Sequence, residues 1–177
     1  MVVDLNPATT YEKILGAIDN RAARLTSCIS RGGLMSKTVH MLKLSVGTED
    51  IAGLQAWQAT KRAQSDDGLP RHVTRMWPKR GEEILNGGSI YWVIKGVILC
   101  RQPVVRLDEY LSADGIRRCA ITCKPELIRV EATPKRAFQG WRYLSVADAP
   151  RDLPAGRQEE EALPPELSKA LAAIGVR

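Results

Sequence analysis

Two segments of this 177-residue chain place basic side chains beside a tryptophan. The first is RHVTRMWPKR, residues 71–80, and the second is PKRAFQGWRYL, residues 134–144. Lysine and arginine attract phosphate groups, and an exposed indole can stack on a base. The recurrence of this pattern predicts a nucleic-acid-binding surface. Its candidate residues are Arg75, Trp77, Lys79, Arg80, Lys135, Arg136, Gln139, Trp141 and Arg142.

Two further cations, Lys95 and Arg101, extend the predicted surface. Lys95 interrupts the apolar run WVIKGVI, and the glycine after it lets a backbone approach a ligand closely. If the run is one strand, Lys95 shares the face of Tyr91 and Val93 and lies at a cleft. The alternative interpretation of all these candidate residues is that the tryptophans lie in the core and the cations are ordinary solvent-exposed charges.

The sequence contains no recognisable catalytic signature, and catalytic residues stay unassigned. His40 and His72 are the only histidines, and neither accompanies a serine or cysteine nucleophile motif. Cys119 and Cys123 would lie about 13 Å apart on a strand, too far for a shared metal. We therefore expect neither a metal nor another cofactor. A small enzyme for a nucleotide or other anionic metabolite, with Lys95 or His72 as its acid–base group, is the second hypothesis.

The positive charge of the chain is concentrated in its middle. The formal net charge is +6, while residues 35–147 alone hold 18 basic and 11 acidic residues, a net charge of +7. This excess favours a polyanionic partner over a neutral one. Four irregularly spaced cysteines do not make a disulfide framework, and no apolar run is long enough to span a bilayer. A cytoplasmic protein without a membrane partner is the simplest expectation.

Hydrophobic patterning predicts strands that run together late in the chain, after two early helices. A helix is expected at 9–25, a strand from Lys37 to Gly47, and then a helix capped by Thr48. The stretch 89–111 is the strongest β signal, with a bulge or bend at Gly96 and at Pro103. Absence of βα alternation favours an α+β fold: a small mixed or antiparallel β-barrel with two or more flanking helices.

Composition divides the chain into three parts. Residues 1–34 form a helical extension, residues 35–150 a basic α+β core domain, and residues 151–177 a polar linker with a short helix. The last helix is expected over 166–174, with Pro165 at its start. Docking of a protein partner on the two terminal helices is the third functional hypothesis.

Five segments resemble an uncharacterised, mainly proteobacterial family, the domain of unknown function number 1489. They are HMLKLSVG, RHVTRMWPKR, GGSIYWVIKGVILCRQ, DGIRRCAIT and FQGWRYL, within residues 38–150. The resemblance implies that residues 1–34 and the acidic tail are additions, and it carries no activity.

The order of features also resembles small barrels related to PUA and ASCH domains. These features are an Arg-x-Trp-Pro element at 75–78, a helix, a glycine-rich turn and a curved strand with the Lys95-Gly96 step. Such barrels generally bind RNA or modified bases, and some relatives are nucleic-acid enzymes. The resemblance implies a PUA-like RNA-binding domain. RNA is the favoured partner, held by the basic clusters, with Trp77 or Trp141 stacked on an unpaired base.

Overall fold

The computed structural model describes residues 37–158 and 163–175, so the predicted helix at 9–25 lies outside the described residues. The strands in this part are β1 (Val39–Leu44), β2 (Arg71–Thr74), β3 (Ser89–Ile94), β4 (Val97–Leu111), β5 (Arg117–Cys123), β6 (Ile128–Pro134) and β7 (Trp141–Ser145). The helices there are α1 (Ile51–Gln58), α2 (Gly81–Leu85), α3 (Ala155–Gln158) and α4 (Pro165–Ala173), with a 3₁₀ turn at Lys61–Ala63. The predicted α+β class is confirmed.

The seven described strands form one open sheet, in the order β2-β5-β4-β3-β1-β7, with β6 also paired to β4. The β1–β3 pair is parallel, and the other pairs are antiparallel, so the sheet is mixed. Its edges, β2 and β7, are not paired to each other, and the predicted barrel is therefore not closed by these strands. The chain leaves β2 as a loop that contains Pro78, which has no N–H to donate to a ladder.

The sheet is strongly curved, although it is open. Residues 97–103 of β4 pair with β3, whereas residues 104–111 pair with β5 after a register shift between Val104 and Arg106. This shift follows Pro103, where the sequence predicts a bulge or bend. Curvature brings His72 of β2 edge-on against Trp92 of β3, with 5.7 Å between ring centroids, although two strands separate them in the sheet.

Side-chain alternation along β1 and β3 builds a different apolar cluster on each face of the sheet. Val39 and Met41 lie on the inner face with Trp92, and α1 and α2 add Leu54 and Ile84 to that cluster. A second cluster on the outer face comprises Leu42, Tyr91, Val93, Ile98, Val130 and Leu144. Aliphatic side chains thus supply most of the core, as the low aromatic content of 5% requires.

Lys95 and Gly96 form the turn of the β3–β4 hairpin, and the prediction of one continuous strand through them is wrong. Ile94 pairs with Val97, which leaves a two-residue connection. Lys95 has φ 50° and Gly96 has φ 81°, both in the left-handed region that such tight hairpin turns use. Lys95 is therefore exposed at the turn and does not share a strand face with Tyr91 and Val93.

This turn geometry gives a first stability prediction. Lysine is strained at positive φ, whereas asparagine tolerates it, so Lys95→Asn should raise the free energy of unfolding by about 0.5 kcal/mol. The substitution also removes the exposed ion pair of Lys95 with Glu49, which contributes little in water. Urea denaturation of Lys95→Asn and of the control Glu49→Gln measures both effects. If both variants lose the same stability, the ion pair outweighs the backbone strain at Lys95, and the prediction is wrong.

The described part of the C-terminal tail lies against β6. Asp152 forms an isolated antiparallel β-bridge with Val130. The Gln158 side chain accepts from the Arg129 N–H at 2.8 Å and donates to the Arg129 carbonyl at 3.0 Å. Helix α4 spans Pro165–Ala173, one residue earlier than the predicted 166–174. None of the described helices has the length and apolar character that crossing a membrane requires.

Candidate functional site

The two basic–aromatic segments of the sequence meet in the structure. The 75–80 loop, which follows β2, reaches across to the edge strand β7. There the Trp141 Nε1–H donates to the Met76 carbonyl at 3.1 Å, and the Arg80 N–H donates to the Tyr143 hydroxyl at 3.0 Å. Residues more than 60 positions apart in sequence thus form one continuous area. We call it the loop–β7 surface, meaning residues 75–80 and 141–145.

Three cations of these segments are exposed and make no ion pair with any described residue: Arg75, Lys79 and Arg142. Arg142 follows Trp141 in β7, so its side chain leaves the edge strand on the outer face, opposite the face that the loop covers. Arg80 differs, because its guanidinium pairs with Glu83 at 2.6 Å and lies over the Tyr143 ring, 5.2 Å from its centroid. Arg80 therefore joins the loop to β7, and the other three remain available to phosphates.

The two predicted stacking residues differ in exposure. Trp77 is 47% exposed on the 75–80 loop, so one face of its indole can receive a base. Trp141 is 7% exposed and packs edge-on against Tyr143, with 4.9 Å between ring centroids. A buried indole cannot stack on a base, and Trp141 instead supports the loop through its hydrogen bond to Met76.

The remaining predicted residues lie elsewhere. Lys95 pairs with Glu49 at 2.6 Å at the hairpin turn. Arg101 is held by both carboxylate oxygens of Asp152 at 2.6 Å and donates to the Ser89 hydroxyl. Lys135, Arg136 and Gln139 are exposed in the connection between β6 and β7, and the Lys135 N–H donates to Gly96 at 2.8 Å. Lys95, Arg101 and Lys135 therefore do not extend the loop–β7 surface as a single patch, whereas Arg136 and Gln139 lie in the segment that leads into β7.

A cleft next to this surface is the second candidate site. It is a cavity of about 160 Å³, and its polar and aromatic lining comprises Lys43, Ser45, Thr48, Trp57, His72 and Trp92. We call it the Lys43–His72 cleft. Lys43 pairs in register with Trp92 on one side and Trp141 on the other, so the three side chains share the inner face of the sheet. The cleft thus adjoins the part of β7 that the 75–80 loop contacts.

The two titratable groups of the cleft have perturbed pKa values. Burial, and next the nearby charge of Lys43, lower the pKa of His72 to about 4, so the imidazole is neutral at pH 7. Burial also lowers the pKa of Lys43. Neither side chain makes a hydrogen bond or ion pair within the described part of the chain, so both can meet a ligand.

Buried amides hold the inner wall of the cleft. Trp92 Nε1–H donates to Gln102 Oε1 at 3.2 Å, and Gln102 exchanges two hydrogen bonds of 2.9 Å with Gln58. Trp57, one residue before Gln58, is 42% exposed at the rim. Helix α1 carries both and is capped at its N-terminus by Asp50, whose carboxylate accepts from the Gly53 N–H at 2.7 Å. The predicted cap was Thr48, which instead donates to the Ser45 hydroxyl.

His72 should make the folded protein less stable in mild acid. Its pKa is about 4 when folded and near 6.5 when unfolded, so the unfolded chain binds the proton more readily. The contribution of His72 to the free energy of unfolding is fully present above pH 6.5. It falls by on the order of 2 kcal/mol as the pH drops from 6.5 toward 4. His72→Phe keeps a ring against Trp92 and cannot titrate.

Denaturant unfolding at pH 7 and pH 5 measures this effect. The His72→Phe variant should lose less stability between the two pH values than the natural chain. The residual slope is assigned to His40, whose pKa burial also lowers. Equal slopes in the two proteins would contradict the role of His72.

Sequence reasoning placed His72 as an acid–base candidate but did not single out Lys43 or the rim residue Trp57. One signal for Lys43 was available. Residues Val39 and Met41 alternate toward the core, and Lys43 continues the same register, which puts a charge on an apolar face. The contact between His72 and Trp92 could not be foreseen, because it depends on the curvature of four strands.

Comparison with known proteins assigns a family but no activity. No curated protein and no solved structure matches the chain. The family described as "Protein of unknown function (DUF1489)" matches residues 41–177. This range starts within β1 and includes the tail after residue 150, beyond the predicted span of 38–150. Because the match covers more than three quarters of the sequence, the chain belongs to the DUF1489 family.

Proposed function

We propose that this protein binds single-stranded nucleic acid at the loop–β7 surface, with RNA preferred over DNA. The meeting of the two basic–aromatic segments at the Met76–Trp141 hydrogen bond supports the proposal most directly. Arg75 and Lys79 on the loop and Arg142 on the other face of the edge strand β7 place unpaired positive charge around one edge of the sheet, which favours a polyanion there.

Each group of the surface has a distinct role in this proposal. Arg75, Lys79 and Arg142 hold phosphates of a nucleic-acid strand that passes around the β7 edge, because they are exposed and have no carboxylate partner in the described part of the chain. Trp77 stacks on an unpaired base. Arg80 and Trp141 fix the loop against β7 and do not themselves bind the nucleic acid.

The preference for RNA follows from the resemblance of residues 75–96 to PUA-like and ASCH-like barrels. A strongly curved mixed sheet flanked by helices is compatible with that fold proposal. A cytoplasmic location suits an RNA ligand. It also suits the free, buried thiols of Cys100, Cys119 and Cys123, which stay reduced there.

The enzyme hypothesis has one observation in its favour, the shared cleft of Lys43 and His72. A general base works best with a pKa near the working pH, and the His72 pKa of about 4 is far below it. Among the described residues, those that line the cleft include no carboxyl group to orient the imidazole or to exchange a proton with it. Binding, rather than proton transfer, is the better use of this geometry.

The salt dependence of RNA binding tests the proposal. Fluorescence anisotropy of the full chain with single-stranded RNA, duplex RNA and single-stranded DNA gives an affinity at each salt concentration. We expect single-stranded RNA to bind tightest. Three phosphate contacts predict a slope of about −2 in log affinity against log salt. Absence of binding even at low salt would overturn the proposal.

A further inference from the structure

The Lys43–His72 cleft offers two polar groups and an aromatic rim that the loop–β7 surface does not use. The side chains of Lys43 and His72 have no hydrogen-bond or ion-pair partner within the described residues, and Trp57 exposes its indole beside them. We propose that the cleft takes one unpaired uracil-type base from the bound strand, stacked on Trp57 and hydrogen-bonded by Lys43 and His72. This inference rests on the proposed function and names the base that the site reads.

The size of the cleft favours a single ring. Sites for drug-sized molecules and cofactors have volumes of about 300–1,000 Å³. At about 160 Å³, the cleft is too small for a whole nucleotide or a dinucleotide cofactor. A pyrimidine inserted edge-first suits this space, with its sugar and phosphate left outside the cleft.

The hydrogen-bonding groups of the cleft select the base. Lys43 can only donate, so it requires an acceptor such as a carbonyl oxygen. His72 is neutral, and the positive charge of Lys43 disfavours an N–H that points toward it, so the ring nitrogen on the Lys43 side is an acceptor for an N–H group. Uracil presents a carbonyl oxygen for Lys43 beside a ring N–H for His72. Cytosine presents a carbonyl oxygen beside an unprotonated ring nitrogen, which sets two acceptors, that nitrogen and the His72 nitrogen, against each other.

The rigid wall makes such selection effective. Gln102 fixes the Trp92 indole, and Trp92 in turn packs against the His72 ring. A wrong base would leave buried polar groups unpaired in a cleft that cannot rearrange to satisfy them, and that loss discriminates strongly.

Uridine and cytidine, which carry no phosphate, test the cleft separately from the loop–β7 surface. Quenching of tryptophan fluorescence, or NMR shifts, in the full chain measures their binding. We expect uridine to bind at least about tenfold tighter than cytidine. Lys43→Met, which keeps most of the side-chain stem, should abolish that difference. The control Lys61→Met removes an exposed lysine and should leave it unchanged.

Two oligonucleotides, a uridine octamer and a cytidine octamer, complete the test. Lys43→Met should bind the uridine octamer about tenfold more weakly than the natural chain does. The slope of log affinity against log salt should stay the same, because Lys43 contacts a base and not a phosphate. Trp57→Ala should weaken both octamers, and thermal unfolding checks that this variant is folded, since more than half of the indole is buried. Equal binding of uridine and cytidine in the natural chain would overturn the inference while leaving RNA binding intact. Loss of RNA binding with uridine binding retained would overturn only the proposed function.

Discussion

The Arg75→Glu/Lys79→Glu/Arg142→Glu variant is expected to bind single-stranded RNA about 1,000-fold more weakly than the natural chain at 50 mM salt, a loss of about 4 kcal/mol. Each substitution removes a phosphate contact and adds repulsion. The three positions are exposed and free of ion pairs within the described part of the chain, so folding should be nearly unaffected. Anisotropy measures the affinity, and thermal unfolding checks the fold.

A matched control separates a local effect from the change in net charge. Lys124, Arg151 and Lys169 are also exposed cations without an ion pair among the described residues. They lie after β5, beside β6 and on α4, away from the 75–80 loop. The triple reversal of these residues to glutamate should weaken binding by about tenfold at most, through the general field alone. Equal losses in both triple variants would show that no specific surface exists.

The contrast between Lys95 and Lys43 shows how far sequence reasoning reaches here. A lysine next to glycine inside an apolar run predicts a cleft residue on a strand, yet Lys95 is a hairpin turn residue with positive φ. The dense β signal of residues 89–111 concealed the turn, because valine and isoleucine flank it on both sides. A lysine at the end of a strand is usually solvated, so alternation with Val39 and Met41 is a weak signal for Lys43 on its own. The register of β1 against β3 and β7 adds that Trp92 and Trp141 flank it on the inner face.

The element types were predictable because local patterns dictate them, and long-range pairing was not. The strands around Trp92 and Cys119 follow from β-branched composition, and α4 from a proline followed by amphipathic spacing. Whether the sheet closes depends on how β2 and β7 end, which no local pattern encodes. The meeting of Met76 with Trp141 likewise follows from the curvature of the whole sheet.

Gln102→Leu should reduce the free energy of unfolding by about 3–5 kcal/mol, which is large for one substitution. Gln102 is 0% exposed, and all four hydrogen-bonding positions of its amide are used. Its oxygen accepts from Gln58 and Trp92, and its nitrogen donates to Gln58 at 2.9 Å and to the Lys124 carbonyl at 2.7 Å. Leucine fills a similar volume but leaves these buried groups without hydrogen bonds and shielded from water. Denaturant unfolding measures the loss.

A double variant shows whether the loss comes from unpaired groups or from packing. Gln58→Leu/Gln102→Leu removes the amide that Gln102→Leu would leave unpaired, so it should recover about 1–2 kcal/mol. Gln55→Leu, on the exposed side of α1, serves as the control and should change stability by less than about 0.5 kcal/mol. If the double variant is no more stable than Gln102→Leu, packing dominates. Recovery would instead mean that the unpaired Gln58 amide causes part of the loss. Paired amides then stabilise the wall that carries Trp92, and a cleft that distinguishes one base from another needs such a rigid wall.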